Sequence, residues 1–504
     1  MREGERKMSK YVQLGIIAIL VMLLTAFSAA AETEILINGD LEPKTQEETI
    51  EMLSALTDAY FEDESLAAEL SGEISQSEIS DPYSEDENNM ISMFSLTHGG
   101  QTLRFMMDVI GEPDENDLYP LYITLHGGGE DVPEGNDGQW ISMYYYYRSA
   151  VENGIYIACR GITDTWDLHF RPESYPLYDR LIQAMIRLYR ADPNRVYLLG
   201  FSAGGDGVYQ ITPRMADRFA AANMSSGHPN GVSLLNLANC PFSIQVGVRD
   251  YYSESAMRCI RGAEFDQMLN AYHDQYDYGY THQVLVHVPA GHNYDDYSAN
   301  REAEVLADPA AYANPDVTDA MMECFLEAFE ATVKGEDIDV PSLSYYSAEA
   351  NSAFDEAVRR IIKEDFQLKT TFVNSSAVRY VSQFTRNPAP DTVVWDLSTR
   401  AASRDVDSFY WLKADASVTE GIIAAAVYDR NTVVVNPENV NGDFSILVNP
   451  TLMDVSQPIH FVTPEGDFDV WVYPSEETLR ASMLKTGDPA LAWVAEIPYS
   501  LLHE

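Results

Sequence analysis

Positive charge is what this chain most lacks. It carries 32 Lys and Arg against 79 Asp and Glu, a formal net charge of −47 over 504 residues. A surface of that sign repels phosphodiester backbones and anionic lipid headgroups, which argues against nucleic acid and charged membranes as partners. The acidic residues are spread rather than gathered into a tail, a pattern that serves solubility outside the cell. Cysteine is scarce as well. Cys159, Cys240, Cys259 and Cys324 are too few and too scattered for a disulfide scaffold in a chain this long. Only Cys240 and Cys259, which flank a predicted strand, could bridge. No C-x-x-C occurs, so structural zinc has no ligand set, and neither a metal nor another cofactor is expected. What is plentiful is ordinary core material: 46% hydrophobic and 22% charged residues exclude disorder on a large scale.

The amino terminus follows a secretory pattern. Arg2, Arg6, Lys7 and Lys10 precede an apolar run from Gly15 to Phe27, and Ser28-Ala29-Ala30-Ala31 supplies small residues for cleavage. Residues 1–31 therefore read as a signal peptide. An uncleaved anchor is the competing reading, because Tyr11 to Ala31 is just long enough to span a bilayer. The expected location is secreted or cell-surface, with no membrane contact after cleavage.

Residues 32–90 are acidic. Ile50, Leu53, Leu56, Ala59 and Tyr60 recur near the helical period, and the polar stretch Glu73 to Asn89 reads as a loop. From 91 to 335, short apolar runs alternate with helical segments. The runs are Ser92–Leu96, Leu103–Asp108, Tyr119–Leu125, Gly154–Ala158, Val196–Leu199, Ala220–Met224, Phe242–Val248 and Gln283–Val288. Several are continuously apolar, as parallel strands buried on both faces are. The expectation is an α/β domain with a doubly wound, mainly parallel sheet. An acidic linker and one helix span 336–369. Beyond 370, runs such as Thr392–Trp395, Thr432–Val435 and Asp469–Val472 are separated by Asn, Asp, Pro and Gly, which predicts a smaller all-β sandwich over 370–504.

Three signals converge on acyl transfer. Gly200-Phe201-Ser202-Ala203-Gly204 follows the strand Arg195–Leu199 and opens a helix, the context in which G-x-S-x-G lifts a serine hydroxyl on a strained turn. His126-Gly127-Gly128-Gly129 follows the strand Leu121–Leu125. Backbone N–H groups of Gly127 or Gly128, together with that of Ala203, would form an oxyanion hole. Asp250 ends a later strand and His292 follows the last one, giving the chain order Ser, Asp, His. Glu254, Asp295 and Asp296 are rivals to Asp250. Around the expected mouth lie Tyr144 to Tyr147, Trp166, His169, Arg171, His228 and Tyr294, whose polar-tipped rings suit sugars or aromatic acids.

With those motifs in place the chain resembles the α/β-hydrolase superfamily, and within it the exported esterases of the polyhydroxybutyrate-depolymerase and feruloyl-esterase kind. The likeness is carried by Asp192–Tyr197, Gly200–Gly205, Asp217–Ala221 and Ser226-Gly227. It is also similar to bacterial hydrolases that continue with Asp206-Gly207-Val208-Tyr209-Gln210 and carry Gly227-His228-Pro229-Asn230 downstream. The resemblance implies a Ser202, Asp250, His292 triad acting on a small-molecule or polysaccharide-linked ester. Gly128 stands where polyester-degrading relatives have a cysteine, which points away from polyester. Two rivals stay open: a peptidase of prolyl-oligopeptidase type, and a non-catalytic surface-binding protein.

Overall fold

The computed structural model describes residues 35–86, 88–129, 132–247, 250, 258–287, 292, 369–370 and 376–502. The expected signal segment 1–31, Tyr294, Cys324 and the helix expected within 336–369 lie outside them. No helix among the described residues is long and apolar enough to cross a membrane.

The chain enters with strand β1 (Ile35–Ile37), then helices α1 (Gln46–Glu62) and α2 (Glu64–Gly72). Thr45 and Glu48 close a capping box on α1, and Asp63 caps α2 through the N–H groups of Ser65 and Leu66. A ten-stranded sheet follows: β2 (Ile74–Ser80), β3 (Met90–His98), β4 (Gln101–Ile110), β5 (Tyr119–Leu125), β6 (Gly154–Cys159), β7 (Ala191–Phe201), β8 (Ala221–Ser225), β9 (Phe242–Gly247), β10 (His282–His287) and β11 (Lys369–Thr370). Its spatial order is β2-β3-β4-β6-β5-β7-β8-β9-β10-β11. Strands β2 to β4 run antiparallel to their neighbours, and all pairs from β6 to β11 are parallel. Every residue of β6, β8 and β9 is buried, because helices cover both faces. The crossovers are α3 (Pro133–Tyr146), α4 (Ser174–Tyr189), α5 (Ala203–Ile211) and α6 (Arg258–Tyr276). The strand order reverses between β5 and β7. That opens a crevice outside their carboxyl ends, where ligands of open α/β sheets bind.

Two expectations are corrected here. Ile74–Ser80 is an edge strand, not a loop; Ser75, Gln76, Ser77 and Glu78 are exposed, so no apolar alternation marks it. The free thiols of Cys159 and Cys240 are buried, so the bridge from Cys240 to Cys259 is not made.

After α7 (Ser376–Val381), the carboxyl-terminal residues build two smaller sheets from β12 (Thr392–Asp396), β13 (Ser408–Phe409), β14 (Leu412–Ala414), β15 (Ile422–Tyr428), β16 (Thr432–Glu438), β17 (Phe444–Val448), β18 (Ile459–Thr463), β19 (Gly466–Val472) and β20 (Ala495–Pro498). One has the order β1-β19-β18-β16-β15-β12 and the other β13-β14-β17-β20. Alternate residues Ile423, Ala425 and Val427 of β15 are buried and share a core with Ile446 and Ile497 of the second sheet. The rings of Trp395 and Phe409 stack between the sheets with centroids 5.6 Å apart. This unit is not purely β, nor built from 370–504 alone. Helix α8 (Glu476–Thr486), capped by Ser475, belongs to it, and β1 pairs in parallel with β19.

The two units are joined by buried charge. Arg404 binds Asp179 and Asp217, the Arg386 guanidinium donates to the Asp217 carbonyl and to Asn194 Oδ1, and the Tyr410 hydroxyl donates to the Ala216 carbonyl.

Candidate active site

Ser202 sits where β7 turns into α5. Its backbone has φ 57° and ψ −121°, a sparsely populated conformation that costs about 1–3 kcal/mol and is held by its surroundings. The surroundings are tight: a Cβ on Gly204 would come within 2.0 Å of the Leu125 carbonyl oxygen, so only glycine lets α5 start this close to β5. The Ser202 N–H donates to the Ser225 carbonyl (3.0 Å), which fixes the turn to β8. The hydroxyl is thereby presented at the amino-terminal end of α5, where the helix dipole favours negative charge.

His292 completes the first link. Its Nε2 lies 2.9 Å from Ser202 Oγ and its Nδ1 lies 2.9 Å from Asp250 Oδ2. The carboxylate can only accept, so Nδ1 carries the proton and Nε2 is free to accept from the serine. The Phe201 ring packs against the imidazole with centroids 5.1 Å apart. Asp250 is buried, which alone would raise its carboxyl pKa. His292 and Arg258, the latter donating from Nη1 to Oδ1 at 2.9 Å, outweigh burial and hold it below the usual range. Of the four acidic candidates, only Asp250 falls within the described residues, and it meets His292. The Ser226 hydroxyl donates to the His292 carbonyl (3.2 Å), tying the imidazole's backbone to the end of β8.

The glycine loop after β5 lies against the serine. A Cβ on Gly127 would stand 3.2 Å from Ser202 Cβ. Gly128 has φ +101°, and any side chain there would meet Asn136 Oδ1 at 2.5 Å. Ala203 is the first residue of α5. Gly127 thus lies against Ser202, Gly128 faces Asn136, and Ala203 directly follows the serine.

The proposed substrate contacts fare unevenly. Trp166 is 46% exposed, and its backbone abuts the Gly129 turn, 2.9 Å from where a Cβ would be. Its side chain is exposed to solvent. That of His169 is not. It is 1% exposed, and its Nε2–H donates to the His126 carbonyl at 2.9 Å, supporting the glycine loop from beneath. Burial pushes its pKa down to about 3, so it is a neutral prop. His126 is likewise buried with its pKa lowered; its Nε2 accepts from the Gly161 N–H. Arg171 is engaged with Asp167 and Glu173. The backbone of His228 donates to Asp206, whose other oxygen takes the Asn230 amide, so Gly227-His228-Pro229-Asn230 clasps α5 to the loop after β8.

Sequence reasoning missed Asn136 and Arg258. Asn136, Asp137 and Gly138 are poor helix formers inside α3, and such a local conflict is the signal that marks a residue used for something else. A cavity of about 560 Å³, lined by Pro120, Tyr122, Asn153 and Arg195, opens at the amino-terminal ends of the strands, and none of the site residues lines it.

No family model matches the chain. A bifunctional acetylxylan esterase/xylanase of Neocallimastix patriciarum is 31% identical over 113 residues, which is 22% of this chain and 16% of that protein. The chain thus matches about a sixth of that relative's length. Among solved structures it is similar to an S-formylglutathione hydrolase from Agrobacterium tumefaciens (TM-score 0.31, 16% identity, 48% of this chain and 99% of that one). A thermostable esterase (0.29, 17%, 43% and 55%) and a ferulic acid esterase (0.27, 14%, 47% and 97%) are comparable. These superpositions are loose, and the fold rests on the strand order and the turn at Ser202.

Proposed function

We propose that this chain, which has the α/β-hydrolase fold, is an exported serine hydrolase that cleaves carboxylic esters through an acyl-enzyme on Ser202. The observation that carries the reading is the unbroken relay from Ser202 Oγ to His292 to Asp250, each step 2.9 Å.

In the first half-reaction, Oγ attacks the ester carbonyl carbon while its proton passes to His292 Nε2. Asp250 stabilises the imidazolium through Nδ1–H. The oxygen that gains charge is met by N–H groups of the Gly127–Gly128 loop and of Ala203, in a helix-terminal field. His292 then protonates the departing alcohol. Water, deprotonated by the same imidazole, releases the acid and restores the serine. His126 and His169 are engaged elsewhere: His169 Nε2–H donates to the His126 carbonyl, and His126 Nε2 accepts from the Gly161 N–H.

Export rests on the amino-terminal pattern of charge, apolar core and small residues. The partial match to an acetylxylan esterase favours acyl groups carried on a polysaccharide over free small esters. The test is labelling with a fluorophosphonate, which reacts only with an activated serine. A stoichiometric adduct on the Ser202 peptide, abolished in His292→Ala, is expected. No adduct would refute the reading and leave a binding protein; an adduct on another serine would refute Ser202 as the nucleophile.

A further inference from the structure

We propose that Asn136 is a positioning residue of the oxyanion loop, holding it in the shape that aims its N–H groups at the reacting carbonyl. The inference rests on the ester-hydrolase reading above and adds a residue to its machinery.

The argument begins with what a glycine loop cannot do alone. Three consecutive glycines lose more conformational entropy on ordering than any other residues, so His126-Gly127-Gly128-Gly129 has no intrinsic reason to keep one shape. Something outside the loop must select it. Asn136 is fully buried, and its Oδ1 accepts the Gly129 N–H at 2.8 Å. The same oxygen occupies the space that a Gly128 side chain would need. With the Gly129 N–H engaged behind the loop, Gly127 is left facing Ser202.

Asn136 is itself held. Its Nδ2 donates to Asp164 Oδ1 at 3.0 Å, and Asp164 also receives the Arg160 guanidinium. Arg160 is 3% exposed and donates further to Asp137 Oδ1 (2.7 Å) and to the carbonyls of Gly161 and Thr163. Its own N–H donates to the Arg104 carbonyl of β4. The chain of contacts therefore runs from the sheet, through Arg160 and Asp164, to Asn136 and the loop. Each buried polar group along it is paired, the condition under which such a network specifies one geometry.

The role differs from that of a catalytic residue, since Asn136 touches the loop rather than the substrate. Misplacing an oxyanion donor costs turnover while leaving ground-state binding alone, typically about 10- to 100-fold in kcat.

The test uses the full chain with p-nitrophenyl acetate and with a trifluoromethyl ketone. Ser202 adds to the ketone carbon, its proton passes to His292, and the resulting hemiketal oxygen sits in the hole as an anion. Asn136→Ala is expected to lower kcat by about 10- to 100-fold with KM within about threefold, and to weaken the ketone by the same factor as kcat/KM. Exchanging the pair (Asn136→Asp with Asp164→Asn) keeps the net charge, an acceptor for Gly129 and a hydrogen bond between the two, and should restore most of the loss. If the alanine variant does not fold, Asn136→Ser is read in the same way. Wild-type kcat in the folded single variant, or a loss of kcat without loss of ketone affinity, would overturn the proposal. Turnover by Ser202→Ala in the same panel would instead overturn the reading beneath it.

Discussion

Arg404 reaches across from the carboxyl-terminal unit to Asp217, in the short turn that follows the helix begun by Ser202. Its Nη1 lies 2.9 Å from Oδ1 and its Nη2 3.2 Å from Oδ2, with both side chains buried. The same guanidinium pairs with Asp179 of α4. The carboxyl-terminal unit is therefore fastened to the helix that positions the serine.

Removing one partner of a buried pair leaves the others uncompensated, at about 3–5 kcal/mol. Arg404→Ala is accordingly expected to lower unfolding free energy by that amount in urea titrations, with activity lost in step with the folded fraction. A change below about 1 kcal/mol would mean that the network contributes nothing to holding the units together.

Asp488 is buried between Arg386 and Arg218. Burial alone would raise its pKa, but the two guanidiniums hold it below the unfolded value near 3.9. A depressed carboxyl contributes stability that is complete above the unfolded pKa and is lost as pH falls through the folded one. Native protein should lose more stability than Asp488→Asn as pH falls below about 4. Parallel curves of urea midpoint against pH for the two chains would contradict this.

Asp250→Asn keeps the shape of the site and removes the carboxylate that fixes the His292 tautomer. A fall in kcat of about 10⁴-fold is expected, with KM little changed and the protein folded. A loss below tenfold would return the acidic role to Glu254, Asp295 or Asp296.

Trp166 offers an exposed indole beside the Gly129 turn. Trp166→Ala should raise KM for aryl esters about tenfold with kcat preserved, the effect of losing one stacking contact. An unchanged KM would leave the indole with no part in binding.

Local signals carried far along this chain. The turn at Ser202 and the loop at Gly127–Gly129 depend on short glycine patterns next to apolar strands, so both were legible. So was the order of Asp250 and His292, because each follows a strand end. Burial was not. His169 follows β6 just as Trp166 does, but nothing in the sequence told that one ring lies under the loop and the other above it. The edge strand Ile74–Ser80 hid because its exposed polar residues erase alternation. Contacts such as Arg404–Asp217 and Asn236–Asp396 join residues 187 and 160 positions apart, and no local pattern encodes them.

The most direct measurement is steady-state hydrolysis of p-nitrophenyl acetate by purified Ser202→Ala, with folding checked by thermal unfolding. A hydroxyl that attacks the carbonyl cannot be spared, so a loss of about 10⁶-fold in kcat is expected at an unchanged melting temperature. Hydrolysis at the native rate would contradict the account at its root.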